Sequence, residues 1–206
     1  MKGLLLKDWY MMIKYMKLHL LVCIIFLAVS VFGNGNRFFE VYTMMLSGII
    51  PISLNSYDER SRWIQYSNTL PYSRAQLVSA KYIIALLIWA AVAVCTLAVQ
   101  GIRAYTGGVA TDVAYSMLII GVGLIPSSLM LPFVFRFGSE KGRIAYVACI
   151  AIICGIMPFL SMEGMSVVNA ADGIRMAAGL VLPAAMLMFA VSWLLSVKFF
   201  KDRELS

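Results

Sequence analysis

Long stretches without Asp, Glu, Lys or Arg recur six times in this sequence of 206 residues. They are Leu18–Asn36, Val41–Tyr57, Tyr82–Ile102, Val113–Phe135, Ile144–Met162 and Met176–Val197. A helix needs about 17–25 apolar residues to cross the roughly 30 Å hydrocarbon core of a bilayer, and each stretch is long enough. The sequence is also 62% hydrophobic with a mean hydropathy of +0.87, whereas roughly 45–50% apolar residues is typical of a soluble domain. We therefore predict a membrane protein.

The apolar stretches predict helices. Backbone that faces lipid must satisfy its own hydrogen bonds, which leaves helices or a closed barrel, and these stretches lack the alternation of a barrel strand. The turn-forming sequence GNGN shortens the first span, and the second begins near Phe38 with Glu40 at the interface. The predicted fold is all-α with six transmembrane helices, at about 18–33, 38–57, 82–102, 113–135, 144–162 and 176–197.

The basic residues predict the orientation in the membrane. Fourteen of the 17 Lys and Arg residues lie in the N-terminal segment, the segment 58–81, the loop Arg136–Arg143 and the C-terminal tail. Arg37, Arg103 and Arg175 are the remaining three, one in each opposite loop. Because loops rich in Lys and Arg stay on the cytoplasmic side, both termini are predicted to be cytoplasmic. Anionic lipid headgroups account for this distribution, so the net charge of +7 does not predict nucleic-acid binding.

The first 17 residues predict an amphipathic helix that lies in the headgroup layer before the first span. Its apolar residues recur mostly every three or four positions, and Lys7, Lys14 and Lys17 are available for the opposite face. The apolar set is Leu4, Leu5, Trp9, Met12, Ile13 and Met16. A plain cytoplasmic extension is the alternative.

The segment 58–81 between the second and third spans is longer than a simple connection requires. The four-residue spacing of Asp58 and Arg62 favours a short separate helix. Ser73 and Gln76 have the spacing of a capping box, which predicts that a new helix begins near Ser73 and continues into the third span. An exposed Trp63 on such a segment suggests a docked partner on the cytoplasmic side. The alternative is a helix that rests on the membrane surface.

Three sequence patterns carry a resemblance to a known family. They are LLLKDWY at Leu4–Tyr10, YDERSRW at Tyr57–Trp63 and LPYSRAQLVSAKY at Leu70–Tyr82. Together with the span count they resemble the permease subunits of ABC-2 type transporters, which have a type V exporter-like fold. The resemblance is to the small six-span bacterial group that includes exporters of phenol-soluble modulins and antimicrobial peptides. It implies multi-pass insertion in the bacterial cell membrane.

In that family the loop after the second span contains a coupling helix that binds a separate ABC ATPase. The resemblance therefore implies that five residues dock the ATPase: Asp58, Glu59, Arg60, Arg62 and Trp63. The sequence has no G-x-x-x-x-G-K-[ST] motif, so ATP and magnesium are expected on the partner rather than on this chain. Two permeases, identical or related, and two ATPases are the expected unit.

Other function classes find less support in the sequence. A secondary transporter normally places ionisable groups near the bilayer midplane, and the centres of these spans have none. No metal-ligand spacing or catalytic motif is recognisable, and Cys23, Cys95, Cys149 and Cys154 all fall within apolar spans. The prediction is a non-enzymatic exporter subunit for an amphipathic peptide or lipid-like substrate. A non-transporting immunity or sensor subunit with the same fold is the alternative.

Overall fold

The computed structural model describes residues 2–32, 38–67, 69, 71–107, 113–144, 146–148, 151 and 167–202. Within these residues all regular secondary structure is helical, as predicted. The helices are α1 (Lys2–Tyr15), α2 (Lys17–Phe32), α3 (Phe38–Ser47), α4 (Ile49–Arg60), α5 (Trp63–Ser67), α6 (Arg74–Gly107), α7 (Val113–Phe137) and α8 (Val167–Asp202). Residues 139–144 form a further helical stretch after α7.

Within the described residues, three helices are long and apolar enough to cross a membrane. The spans are Arg74–Tyr105 in α6, Val113–Phe137 in α7 and Gly179–Phe200 in α8, at the positions of the predicted third, fourth and sixth spans. Together α1 and α2 make a fourth if they count as one span with a bend of 73°. Most of the predicted fifth span, 144–162, lies outside the described residues. The count of six spans therefore stays a prediction.

The predicted second span, 38–57, consists of two helices rather than one. It breaks at Gly48, where α3 has ended and α4 has not begun. Pro51 explains the break, because its nitrogen has no hydrogen to donate to the carbonyl of Ser47. A Cβ on Gly48 would lie 2.9 Å from Ser127 Oγ of α7, so this glycine also permits a close approach of the two segments. In contrast, α7 continues through its own two prolines without a break.

The predicted apolar face of α1 is divided in the structure. Leu4 and Met12 are buried in the protein. Trp9 and Ile13 were expected beside them but are 49% and 43% exposed. The two pairs lie on different sides of the helix. α1 thus packs one apolar stripe against the protein and presents another outward, where a bilayer would cover it.

The core forms where α6, α7 and α8 meet. Its buried side chains are Val78, Tyr82 and Ala85 of α6, Leu124, Leu131 and Phe135 of α7, and Ala185, Phe189 and Phe200 of α8. The Tyr82 hydroxyl lies 2.7 Å from the hydroxyls of both Ser192 and Ser196, so its polar end is satisfied within the core. Since polar groups in an apolar medium need such partners, these bonds fix the register of α6 against α8.

Replacing Gly121 with alanine is expected to lower the free energy of unfolding by about 1–3 kcal/mol, because it overpacks the contact between α7 and α8. The new Cβ would lie 2.9 Å from Val181 Cγ1 and 3.1 Å from the backbone nitrogen of Leu182, which cannot move aside as a side chain can. The measurement is the thermal midpoint of the detergent-purified protein by fluorescence-detected size exclusion.

Gly101→Ala in α6 is the matched control, since nothing lies within 4 Å of its added Cβ. There alanine should stabilise the helix by up to about 1 kcal/mol. Equal midpoints for the two variants would contradict the proposed close approach of α7 and α8.

Candidate functional site: the α4–α5 turn and its buried charges

A two-residue turn, Ser61 and Arg62, separates α4 from α5. α4 continues to Arg60, and its end is closed by bonds from Ser61 N to Tyr57 O (3.0 Å) and from Arg62 N to Glu59 O (3.2 Å). Arg62 has a φ of 55°, a left-handed conformation that costs a residue other than glycine roughly 1–2 kcal/mol. The predicted short separate helix is present as α5, which ends at Ser67, before the NTLP sequence. The Asp58 and Arg62 pairing within one helix is wrong, because Asp58 lies in α4 and Arg62 lies outside both helices.

The start of α6 agrees with the sequence prediction. Ser73 Oγ accepts a hydrogen bond from the backbone N–H of Gln76 at 3.2 Å, and Gln76 Oε1 accepts one from the backbone N–H of Ser73 at 3.0 Å. These are the two reciprocal bonds of a capping box. The helix begins at Arg74 and continues without interruption through the predicted third span. The capping-box prediction is confirmed.

Four charged residues meet beneath this turn, and we call them the Asp58 cluster: Lys7, Asp8, Asp58 and Lys81. Asp58 contacts both lysines, with Lys7 Nζ at 2.6 Å from Oδ1 and Lys81 Nζ at 2.5 Å from Oδ2. Asp8 Oδ1 lies 2.9 Å from Lys81 Nζ and 3.2 Å from Lys7 Nζ. The side chains of Asp8 and Asp58 are 2% and 3% exposed. Two positive and two negative charges thus neutralise one another inside the protein.

The Asp58 cluster ties together three helices that are distant in sequence. Lys7 and Asp8 come from α1, Asp58 from the end of α4 and Lys81 from the start of α6. Removing one partner of a buried ion pair strongly destabilises the folded protein, since the other charge would remain unpaired in a medium of low polarity. Any displacement of the end of α4 must therefore act on both α1 and α6.

Glu59 makes a second tie, in a different direction. Its Oε2 accepts a hydrogen bond of 2.9 Å from the backbone N–H of Ser139, at the first residue of the helical stretch 139–144. A carboxylate at this position caps the helix and complements its dipole. Asn55 Nδ2 donates to Ser139 Oγ at 3.2 Å, and Arg143 donates to Ser56 Oγ at 3.3 Å. The end of α4 is thus also joined to the segment that follows α7.

Trp63 is half-buried rather than exposed as predicted. Lys7 Nζ lies 4.3 Å above its ring centroid, within the range of a cation–π contact. The ring of Tyr66 packs beside it with a centroid distance of 5.6 Å. Trp63 therefore connects the turn to the Asp58 cluster through Lys7.

The five predicted docking residues differ in their exposure. Asp58 and Glu59 point inward and are used by the protein itself, while Trp63 is half-buried. Arg60 and Arg62 are exposed at the turn. Sequence reasoning did not identify Asp8 and Lys81 as members of this site. The sequence did contain a signal for Asp8, because it lies four residues from both Leu4 and Met12 and therefore on the same face of α1 as these buried residues.

A second buried polar group, which we call the Glu40 cluster, comprises Ser30, Glu40, Gln100 and Arg103. Glu40 is fully buried and accepts hydrogen bonds from Ser30 Oγ (2.9 Å), Gln100 Nε2 (2.8 Å) and Arg103 Nη1 (2.8 Å). Gln100 also accepts a hydrogen bond from Ser116 of α7. The Glu40 cluster thus joins α2, α3, α6 and α7.

The two clusters mark the two ends of α6. Lys81 and Arg103 are 22 residues apart on this helix, which at 1.5 Å per residue corresponds to about 33 Å. The hydrocarbon core of a bilayer is roughly 30 Å thick. The paired charges therefore lie at the spacing of the two headgroup layers, with apolar helix between them.

These features define a multi-pass helical membrane protein whose buried ion pairs lie near the two ends of α6. A family model described as ABC-2 family transporter protein matches residues 3–201, so this chain belongs to the ABC-2 transporter family. Membership gives it the role of a transport permease. No curated protein matches the sequence.

Proposed function

We propose that this chain is the permease subunit of an ATP-driven exporter, and that a separate ABC ATPase docks at the α4–α5 turn. The observation that supports the docking position is the exposed pair Arg60 and Arg62 directly above the buried Asp58 cluster. A partner that presents acidic groups to these arginines would be attracted and oriented by them. The turn is thus both accessible and firmly connected to the rest of the protein.

The connections of the turn suggest how ATP hydrolysis would act on the helices. A movement of the ATPase would shift the end of α4, and Asp58 would carry that shift to α1 and α6 through Lys7 and Lys81. Glu59 would carry it to the segment after α7 through Ser139. One contact surface would thus drive several spans together, as a change of access across the membrane requires.

The proposed cargo is an amphipathic peptide or another hydrophobic molecule, moved outward across the bacterial membrane with both termini of the permease in the cytoplasm. The sequence has 14 methionines, whose flexible side chains suit imprecise recognition. Two permease copies, identical or related, would enclose the path together with two ATPases. This proposal agrees with the resemblance to the small bacterial peptide-exporter group.

An ion-coupled secondary transporter is less well supported. Its coupling residues would be ionisable groups near the midplane of the bilayer. The buried acids Asp8, Asp58 and Glu40 instead belong to clusters at the ends of α6, and each contacts a lysine or arginine. A non-transporting immunity or sensor subunit would share the docking turn, so transport itself must distinguish that alternative.

Charge reversal of the exposed arginines is expected to disrupt ATPase docking. In Arg60→Glu/Arg62→Glu, like charges would face one another across the contact, which costs several kcal/mol. We expect binding of the cognate ATPase to weaken at least about tenfold, and substrate-stimulated ATP hydrolysis to fall with it. The measurements are co-purification and hydrolysis in proteoliposomes.

Lys17→Glu is the matched control, because Lys17 is exposed at the start of α2 and does not line the pocket beside Arg60. Arg62→Gly adds a variant that preserves the fold, since glycine adopts a positive φ without steric cost. It should fold normally and weaken docking partially. Wild-type binding and hydrolysis in the double charge reversal would refute docking at this turn.

Transport is tested separately with inside-out proteoliposomes that contain the permease and its ATPase. A fluorescent amphipathic helical peptide should accumulate in the lumen when ATP is added, and not when a non-hydrolysable analogue replaces it. Active ATP hydrolysis without accumulation would argue against export of such a peptide and favour the immunity or sensor alternative.

A further inference from the structure

A groove runs along the outer surface of the protein between α7 and α8. Its volume is about 290 Å³, near the lower end of the roughly 300–1,000 Å³ typical of ligand sites. Most of its lining is apolar: Leu129, Pro132, Phe133, Met188, Val191 and Leu195. Several of these side chains are exposed, for example Phe133 at 48% and Val191 at 54%, so the groove opens sideways toward the membrane.

One charged residue, Arg136, lines the groove near the end of α7. Its guanidinium carbon lies 5.2 Å from the ring centroid of Phe137 and 4.9 Å from that of Phe199. Stacking on aromatic rings fixes a guanidinium plane and leaves its N–H edge available for bidentate contact with phosphate. In the described part of the chain Arg136 has no ion-pair partner.

The level of Arg136 in the membrane follows from its neighbours. Phe135 and Phe200, next to the arginine and to Phe199, pack in one core group with Val78, three residues before Lys81. Arg136 therefore lies at the same end of the bundle as the Asp58 cluster. This is the end where most lysines and arginines of the sequence concentrate, and anionic lipids of the cytoplasmic leaflet attract such residues.

The dimensions of the groove fit one acyl chain. From Leu129 to Phe137 the lining extends over eight residues of α7, or about 12 Å along the helix. It runs from Arg136 toward the middle of the membrane, as the tail of a phospholipid does when its phosphate is at the headgroup level. A folded peptide or a second helix would need a wider surface than this narrow groove offers.

We infer that the groove between α7 and α8 binds an anionic phospholipid, with its phosphate on Arg136 and one acyl chain against Leu129, Phe133, Val191 and Leu195. The positive charge selects the headgroup, because a zwitterionic lipid presents a compensating ammonium group. The site is distinct from the docking turn and does not depend on the proposed export function.

Native mass spectrometry of the full-length permease tests the site. Phosphatidylglycerol and phosphatidylcholine with identical acyl chains are titrated into the detergent-solubilised protein. We expect each permease chain to retain one molecule of phosphatidylglycerol. Arg136→Gln should weaken its binding about tenfold, as loss of a charge-assisted bond implies, and weaken phosphatidylcholine binding by less, because the choline ammonium already offsets part of that lipid's phosphate charge. Val191→Trp, which fills the groove, should weaken both.

Arg60→Gln is the matched control, because it removes an exposed arginine that does not line the groove. Helical circular dichroism and a monodisperse elution profile confirm that each variant folds. Equal retention of the two lipids by the wild type, or an equal loss in Arg60→Gln and Arg136→Gln, would overturn the inference. Lipid that binds single chains but is excluded from the dimer would also overturn it, and would identify the groove as an interface between copies.

Discussion

Replacing Asp58 with asparagine is expected to lower the free energy of unfolding by about 3–5 kcal/mol, because Lys7 and Lys81 must then share the single carboxylate of Asp8 and the cluster keeps a net positive charge. Asp58 contacts Lys7 at 2.6 Å and Lys81 at 2.5 Å, and its side chain is 3% exposed. The asparagine amide can replace neither ionic contact. We expect a strongly reduced thermal midpoint and poor recovery of monodisperse protein, measured by fluorescence-detected size exclusion.

A second substitution distinguishes loss of charge balance from loss of packing. In Asp58→Asn/Lys81→Gln one charge of each sign is removed, and the pair of Lys7 and Asp8, 3.2 Å apart, remains. The double variant should therefore recover much of the stability that the single variant loses, in a double-mutant cycle. Glu140→Gln, at an exposed position, serves as the control for carboxylate removal and should be neutral. A double variant that is less stable than Asp58→Asn would refute mutual neutralisation.

Replacing Glu40 with glutamine is the second change with a large expected effect. Glu40 is fully buried and accepts from three donors, so the variant would leave Arg103 without its negative partner and place a glutamine N–H₂ against existing donors. The expected loss is again about 3–5 kcal/mol. The thermal midpoint of the purified protein measures it.

Graded variants test the same cluster. Ser30→Ala removes one hydrogen bond to Glu40 and should cost only about 1 kcal/mol. Glu40→Gln/Arg103→Gln removes both charges and should be more stable than Glu40→Gln alone. If Ser30→Ala and Glu40→Gln were equally harmful, the carboxylate charge would not be the source of the stability.

Local features of this protein could be predicted from its sequence. The reciprocal bonds of Ser73 and Gln76 depend on residues three apart, so their spacing alone revealed them. Continuous apolar runs likewise located the spans in α6, α7 and α8. Each of these features depends on residues of one helix, where residues close in sequence are also close in space.

The features that depend on tertiary contacts were not predictable in the same way. Asp58 and Arg62 have the spacing of a helical ion pair, yet Asp58 instead pairs with Lys7 and Lys81, 51 and 23 positions away. The sequence alone does not show which basic residues Asp58 contacts in the folded protein. The apolar residues of α1 were assigned to one face, but only packing against α4 and α6 shows which of them turn toward protein.

The separation of about 33 Å between Lys81 and Arg103 sets the length of α6 that can lie in hydrocarbon. Each end of the helix is anchored in a set of paired charges that would have to enter hydrocarbon if the surrounding lipid tails were much longer. Mismatch of this kind costs fractions of a kcal/mol per Å and is relieved by tilt or by local thinning of the lipid. Because the anchors also involve α1, α2, α3 and α4, α6 cannot tilt alone without disturbing both clusters, so we expect the bundle to respond to a thicker or thinner bilayer as one unit.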